Sequence, residues 1–303
     1  MPNYGRLLGR WQRFDNKVGE ILNSQIQMMI KHPYETLKLS EPAEQVLKIA
    51  LNRPESANAF NTRMAIELYS LFESLSLDLE TYRCLILTGS GERAFCAGGD
   101  LKERNGMTET AWTAQHRHYE RMARALLACP VPVVAAVNGS AFGGGCELVA
   151  ACDFAYAATR AKFALPETSL GIIPGAGGTQ TLSRAVGERR AKELIFTARV
   201  FAADEAAAWG LVNQVVVDED LASTVLDVAK KIAGNAPIAV RQAKSAIHRG
   251  LQMSLTDGLA FEIEAYNQTV PTTDRLEGVS AFNEKRKPVF TCLLYTSPSP
   301  RDS

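Results

Sequence analysis

The sequence predicts an α/β core followed by a helical C-terminal region. Between about residues 34 and 200, short apolar strands alternate with helical segments. Two of these strands are continuous apolar runs, as in parallel strands that are covered on both faces. Beyond residue 200 the spacing of apolar residues becomes mostly helical. A length of 303 residues accommodates both parts as one large domain or two smaller ones.

The first predicted strand is VLKIALN (46–52), which Pro54 stops. The helix after it is marked by apolar residues three and four positions apart: Ala65, Leu68, Phe72 and Leu75. CLILTG (84–89) predicts the next strand. A long helix at about 109–128 then leads to a further apolar strand, VPVVAAVNG (131–139).

The segment FGGGCELVAACDFA (142–155) predicts the following helix, and DFAYAA and KFALPE predict two short strands after it. In the C-terminal region, one helix begins at Pro237 and is expected to end with Gly250 just past its last turn. The next helix is marked by Leu255, Leu259, Ile263 and Tyr266. Asp274 and Glu277 are candidates to cap a last helix.

The two termini carry little information about the fold. Residues 1–33 lack the apolar segment of a secretion signal, and Asp15 and Glu20 count against a transit peptide. We treat this stretch as an uninformative N-terminal extension. Residues 291–303 are rich in Ser and Pro and are expected to be a non-native or disordered tail.

Composition argues against several function classes. The 33 basic and 33 acidic side chains leave no net charge, so no field attracts nucleic acid or anionic lipid. The four histidines lack metal-ligand spacing, and no apolar stretch is long enough to cross a bilayer. The six cysteines include no C-x-x-C and indicate buried, reduced thiols. We therefore expect no metal, no membrane, no nucleic acid, and a bacterial-type cytoplasmic location rather than a mitochondrial matrix.

Three glycines, Gly143, Gly144 and Gly145, precede the predicted helix of the 142–155 segment. The first amides of a helix have no internal acceptor and favour negative charge, so such a turn suits a phosphate or an oxyanion. A dinucleotide fingerprint fails because Leu148 stands where glycine is required. A P-loop fails because Gly145 stands where lysine is required. An oxyanion hole and tight packing of helix on strand remain open.

Two glutamates lie in apolar surroundings. Glu147 follows the glycines, and Glu167 follows Pro166 in KFALPETSLGIIPGAGG. A glutamate in the first turn also complements the helix dipole, which is the structural explanation for Glu147. If the two carboxyl groups meet in an apolar site, one retains a proton and the other stays charged. Such a pair supplies a general acid and a general base.

Over about residues 34–290 the chain resembles the enoyl-CoA hydratase/isomerase (crotonase) family, nearest to enoyl-CoA and methylglutaconyl-CoA hydratases. The matching segments are LNRPESANAFN, RAFCAGGDLKE, PVVAAVNGSAFGGGCELVAACDFAYA, FALPETSLGIIPGAGGTQTLSRAVG and GLVNQVV. The resemblance implies a spiral of ββα units over 34–200. A helical trimerisation region would follow over 201–290, in a homotrimer or a dimer of trimers. It also implies an acyl-CoA thioester as substrate and no metal, flavin or nicotinamide cofactor.

The resemblance also assigns roles to residues. It makes Glu147 the residue that activates water and Glu167 the one that protonates the α-carbon. The main-chain amides of Ala97 and Gly144 would form the oxyanion hole. The further substrate-binding positions are Ala59, Gly98, Asp100, Lys102, Gly143, Gly175, Phe282 and Lys285.

Cations are needed for the CoA phosphates. Lys102 is the first candidate and Arg53 a weaker one. Phe282, Lys285 and Lys287 resemble family residues that reach the CoA or acyl pocket, often from a neighbouring subunit. Each lysine is equally explained as a solvated surface charge.

The predicted reaction is hydration of a trans-2-enoyl-CoA to a 3-hydroxyacyl-CoA, as in fatty acid β-oxidation. The alternatives are methylglutaconyl-CoA hydration, Δ3-Δ2-enoyl-CoA isomerisation, which usually lacks the first glutamate, and non-catalytic binding of CoA or RNA. Acyl preference is expected to depend on residues 104–120. In that segment Trp112, His116 and His118 are interpreted as a helical surface and cover rather than as catalysts.

Overall fold

The structure, a computed structural model, describes residues 34–292. The predictions for residues 1–33 and 293–303 lie outside the described residues. The strands are β1 (Leu37–Ala43), β2 (Val46–Leu51), β3 (Cys84–Gly89), β4 (Ala94–Cys96), β5 (Val133–Val137), β6 (Ser140–Phe142), β7 (Phe154–Ala158), β8 (Lys162–Ala164), β9 (Phe201–Ala202) and β10 (Gln214–Val216).

The helices alternate with these strands at first and then follow one another. They are α1 (Thr62–Leu77), α2 (Leu101–Arg104), α3 (Glu109–Ala128), α4 (Gly144–Ala151), α5 (Gly178–Val186), α6 (Glu188–Thr197), α7 (Ala203–Ala208), α8 (Leu221–Ala233), α9 (Pro237–Gly250), α10 (Leu255–Asn267) and α11 (Thr273–Asn283). The predicted α/β core with a helical C-terminal region is confirmed.

Two sheets organise the core. The larger has the order β1-β2-β3-β5-β7-β10, in which β1 is antiparallel to β2 and every other neighbouring pair is parallel. The smaller has the order β4-β6-β8-β9, with β8 and β9 antiparallel. Successive turns give one strand to the large sheet, one to the small sheet and then a helix: β3-β4-α3, β5-β6-α4 and β7-β8-α5. This repetition is the ββα spiral that the family resemblance implies.

Strand β3 shows why the apolar runs form doubly covered strands. Leu85 and Leu87 point into the main core, which includes α1 and α3. Cys84 and Ile86 point to the opposite face, where they pack with Val225 and other residues of α8. Alternate side chains of one strand therefore bury against helices on both faces, and a polar residue is disfavoured at each of these positions.

Several details differ from the sequence-based expectations. β1 was not predicted, because its burial alternates irregularly along an edge. The sheets also extend past residue 200 through β9 and β10, so the predicted division at that position lies before both strands. α9 includes Gly250 instead of ending before it. The side chain of Thr272, not Asp274 or Glu277, caps α11 by accepting a hydrogen bond from the Arg275 amide.

The C-terminal helices leave an apolar face in solvent within this single chain. Leu255, Leu259, Ile263 and Tyr266 of α10 are all exposed. Phe282 of α11 is 83% exposed. The helical spacing predicted for these residues is confirmed, and their apolar side chains face away from the described core.

Candidate active site

A cleft of about 560 Å³ lies between the loop after β4, helices α2 and α3, the start of α4 and residues 166–176. Its polar wall consists of the main chain at Gly98, Gly99, Gly143 and Gly144 together with the Glu147 and Glu167 carboxyl groups. The remaining wall is mainly apolar and aromatic. It includes Phe60, Leu101, Trp112, Leu170, Ile172 and Ile173. The structure therefore brings both predicted glutamates to one apolar site.

Gly143 connects β6 to α4 and needs to be glycine. Its φ of 51° and ψ of −126° lie in a region that side chains disfavour. A Cβ added there would lie 2.9 Å from Oε1 of Glu167. The glycine thus lets the main chain approach that carboxyl group, and it directs the first amides of α4 into the cleft.

Glu147 lies in the first turn of α4 and is only 4% exposed. Its Oε1 accepts hydrogen bonds from the amides of Ala176 at 2.8 Å and Gly178 at 2.7 Å. Burial raises the pKa of Glu147, and main-chain hydrogen bonds from Gly178, Ala176 and Gly175 act in the opposite direction. These donors orient the carboxyl group and stabilise its charged form.

Glu167 lies in a single 3₁₀ turn, Pro166–Leu170, that starts at Pro166. It is 8% exposed, and its buried Oε2 has no hydrogen-bond partner among the described residues. Burial is the main cause that raises the pKa of Glu167 to about 7; a hydrogen bond from its own amide acts in the opposite direction, and the nearby charge of Glu147 adds a smaller increase. A carboxyl group with this pKa holds a proton in part of the population at neutral pH.

The predicted oxyanion hole needs a correction. The amide of Ala97 donates to the carbonyl of Ala57 at 3.0 Å, so it is already used by the fold. Gly99 lies two residues further on, in a bridge with Phe60. That bridge uses the Gly98 carbonyl and the Asp100 amide, and leaves the Gly99 amide without an acceptor in the described chain.

The amide of Gly144, at the start of α4, is likewise free of an acceptor among the described residues. Gly98 lies beside it, because a Cβ added to Gly98 would be 3.1 Å from the Gly144 nitrogen. Gly99 and Gly144 thus present two free donors to one cleft. The Gly144 amide is free as the prediction requires, and its role stays a prediction. The Ala97 amide is used by a contact with Ala57 that the sequence does not reveal.

Several other predicted substrate-binding residues divide between the cleft and the surrounding structure. Gly98, Gly143 and Gly175 line the cleft. Ala59 and Asp100 do not line the cleft. Both contact Arg53 instead, which donates to the Ala59 carbonyl and forms an ion pair with Asp100 at 2.8 Å. Asp100 also caps α2.

Three cationic or aromatic candidates for CoA contacts lie outside this cleft. Lys102 is exposed on α2, and Phe282 and Lys285 are exposed at the end of α11. Within one chain none of them borders the cleft. Their roles in binding stay predictions.

Residues of α2 and α3 form a further wall of the cleft, in which sequence reasoning did not assign Arg104 or Tyr119. Phe60 packs edge-on against Tyr119, with ring centroids 4.7 Å apart, and the Tyr119 hydroxyl donates to the Phe60 carbonyl. Trp112 and His116 also line the cleft, as expected for a cover, and Arg104 lies among them. The helical periodicity of 109–128 was the available signal, but it does not show which face meets the cleft.

Two searches of the described residues gave negative findings. No cluster of three or more potential metal-ligating side chains occurs in residues 34–292. In the same range no helix combines the length and the apolar character needed to cross a membrane.

Comparison with known proteins adds to this geometry. The model of the enoyl-CoA hydratase/isomerase family matches residues 41–292. The chain belongs to this family. Its match covers both sheets and the C-terminal helices, apart from the first residues of β1.

The matches with three hydratase relatives cover 82–86% of this chain and 75–100% of each relative. A short-chain-enoyl-CoA hydratase of Clostridium acetobutylicum is 43% identical, with 82% of this chain and 94% of the relative covered. The human mitochondrial methylglutaconyl-CoA hydratase is 40% identical, with coverages of 83% and 75%. The crystal structure of an enoyl-CoA hydratase from Bacillus anthracis is 45% identical with a TM-score of 0.84, covering 86% of this chain and 100% of that one. The fold is the crotonase fold.

Proposed function

We propose that this family member is an enoyl-CoA hydratase that adds water to a trans-2-enoyl-CoA thioester and forms a 3-hydroxyacyl-CoA. The observation that carries the proposal is the pair Glu147 and Glu167 in one apolar cleft with two free main-chain amides. An acid, a base and an oxyanion site are the groups that this addition requires.

The thioester carbonyl would accept hydrogen bonds from the amides of Gly99 and Gly144. Attack of water at the β-carbon moves negative charge onto this oxygen as an enolate. Donors that the backbone holds in place need no reorganisation when the charge develops. A single such donor lowers the activation barrier by about 3 kcal/mol. The apolar wall strengthens this interaction by excluding water.

The two glutamates would divide the proton transfers. Glu147, which has two main-chain donors on Oε1, is suited to hold negative charge and to accept a proton from the attacking water. Glu167, whose Oε2 lacks such donors, is suited to hold the proton and to deliver it to the α-carbon. Water oxygen bonds to the β-carbon, the π bond supplies the electrons for the new α-C–H bond, and exchange with solvent resets the pair.

An isomerase is the nearest alternative within the family. Isomerisation removes a proton from one carbon of the acyl chain and adds a proton to another, and a single carboxyl group can carry out both transfers. Glu147, with its own pair of amide donors, favours hydration, because hydration needs a second positioned group that accepts a proton from the attacking water.

We extend the proposal to the assembly and its surroundings. The exposed apolar face of α10 and α11 supports a homotrimer or a dimer of trimers. Catalysis by carboxyl groups and amides needs no metal or organic cofactor. A cytoplasmic location is our prediction from the cysteine pattern.

The test is incubation of the purified protein with crotonyl-CoA in water enriched in ¹⁸O. A hydratase forms a 3-hydroxyacyl thioester that carries one labelled oxygen, and it does so after treatment with a chelator. A 3-enoyl thioester distinguishes the alternative: rapid shift of its double bond, together with no hydration of crotonyl-CoA, would identify an isomerase.

A further inference from the structure

Arg104 is a cationic side chain in a cleft that is otherwise lined by apolar groups, main chain, the two carboxyl groups and the side chains of Thr113, His116 and Tyr119. Among the described lining residues it is the one with a permanent positive charge. Its guanidinium lies near the oxyanion site, because a Cβ added to Gly99 would be 3.9 Å from Arg104 Cζ.

The position of Arg104 is fixed from several sides. Its Cζ lies 4.1 Å from the centroid of the Trp112 ring and 4.9 Å from that of Tyr119. Nε donates to Oε1 of Gln115 at 2.8 Å. Gln115 is itself buried and donates to Glu103 and Thr62. The guanidinium is therefore preorganised, as a binding group must be.

The nearest carboxylates are occupied elsewhere. Oε2 of Glu103 accepts from the Thr62 amide and from Gln115. Asp100 pairs with Arg53 and caps α2. Within residues 34–292 no carboxylate forms an ion pair with Arg104, so its terminal guanidinium nitrogens have no anionic partner in that range.

An oriented guanidinium with no anionic partner among the described residues suits an anionic ligand group at this apolar cleft. Its planar fork binds a carboxylate through two parallel hydrogen bonds. A carboxylate that entered this cleft without such a partner would lose its hydrating water, and no new interaction would offset the free-energy cost. It would also meet the negative charge of the Glu147–Glu167 pair.

We propose that Arg104 determines substrate specificity by binding a carboxylate on the acyl chain, so that the preferred substrate class is enoyl thioesters of dicarboxylic acids. The inference rests on the proposed hydratase function. The inference adds the substrate class to that function. It assigns to Arg104 a contact with the carboxylate of the substrate, away from the carbons that react.

The experiment uses three enoyl thioesters. Crotonyl-CoA has a terminal methyl group, and glutaconyl-CoA carries a carboxylate on that carbon. 5-Methyl-2-hexenoyl-CoA has an isopropyl group in place of the carboxylate and controls for size. We measure kcat/KM for each with wild type, Arg104→Met, Arg104→Lys and Arg117→Met. Arg117 is exposed on α3, the helix that carries Trp112 and Tyr119, and lies outside the cleft.

In wild type we expect glutaconyl-CoA to exceed its isopropyl analogue in kcat/KM. Arg104→Met should lower this ratio about tenfold or more, because the substrate carboxylate loses a charged hydrogen-bond partner. Arg104→Lys should lower it less, and Arg117→Met should leave it unchanged. If Arg104→Met does not fold, the Arg104→Lys ratio decides the matter, since a lysine keeps the charge and loses the fork.

Two results would overturn the inference alone: an unchanged ratio in both Arg104 variants, or an equal loss on all three substrates, which would point to the CoA moiety. In both cases hydration of crotonyl-CoA by wild type leaves the proposed function standing. Absence of hydration of all three thioesters by wild type would overturn the proposed function and this inference together.

Discussion

Glu147 and Glu167 share one cleft but differ in their hydrogen bonding. Oε1 of Glu147 accepts from two main-chain amides, whereas the buried Oε2 of Glu167 has no partner in the described chain. This difference lets two carboxyl groups of the same chemistry take opposite roles.

The pH dependence of the rate should report Glu167. The proposed mechanism needs its protonated form, and burial raises its pKa to about 7 in the folded protein. As pH rises through that value the proton is lost, so we expect kcat/KM for crotonyl-CoA to fall above about pH 7, approaching tenfold per pH unit. The check is a pH–rate profile. A rate that stays constant from pH 7 to 9 would contradict the role of Glu167 as acid.

The same pKa should affect stability. Between the unfolded pKa of about 4.3 and the folded value of about 7, the folded protein holds a proton that the unfolded chain has lost. Stability therefore falls as pH rises through this window, and the loss is complete above it.

Glu167→Gln removes that titration. We expect its stability relative to wild type to rise by about 1–2 kcal/mol between pH 4 and pH 8, a value reduced for partial solvent screening. Urea unfolding at both pH values provides the measurement. A fixed offset that does not depend on pH would show that Glu167 ionises normally in the folded protein.

Gly143 tests the backbone of the site. Gly143→Ala should cost about 1–2 kcal/mol of folding free energy, because its φ of 51° disfavours a side chain. It should also lower crotonyl-CoA turnover at least tenfold, since the new Cβ would press on Glu167. Thermal unfolding and steady-state kinetics measure the two effects.

Gly187→Ala is the matched control for that variant. Gly187 has a φ of 81° and lies between α5 and α6, with open space where a Cβ would be added. We expect a similar loss of stability with nearly normal turnover. Equal losses of activity in both variants would mean that backbone strain, and not the contact with Glu167, accounts for the effect.

The exposed face of the C-terminal helices predicts self-association. Leu259→Glu combined with Ile263→Glu places charge on this face and should convert trimers or hexamers to monomers. Sedimentation velocity distinguishes these species. Leu77→Glu, at an exposed apolar position outside those helices, should leave the assembly intact. A monomeric wild-type protein would refute the prediction.

Much of this architecture could be predicted because its signals are local. The apolar runs of β3 and β5 identify strands covered on two faces, and the spacing of Leu68 and Phe72 identifies α1. Glu147 and Glu167 were recognised by their apolar surroundings and by the family motifs that contain them. The first turn of α4 then determines where Glu147 points.

Other features depend on contacts that no local pattern records. The hydrogen bond from Ala97 to Ala57 occupies the Ala97 amide, whereas the bridge at Phe60 leaves the Gly99 amide free among the described residues. Arg104 has the sequence pattern of a solvated helical charge. Its place beside Trp112 and Tyr119 follows from how α2 and α3 close over the cleft.

The central claim is that Glu147 and Glu167 act together as base and acid on an enoyl thioester. The most direct measurement is the rate of crotonyl-CoA hydration by wild type, Glu147→Gln and Glu167→Gln, with folding verified by circular dichroism. The exposed Glu219→Gln serves as control. We predict that each cleft variant loses roughly 10²–10⁴-fold in kcat while the control is unaffected. Near-normal turnover by either folded cleft variant would contradict the account.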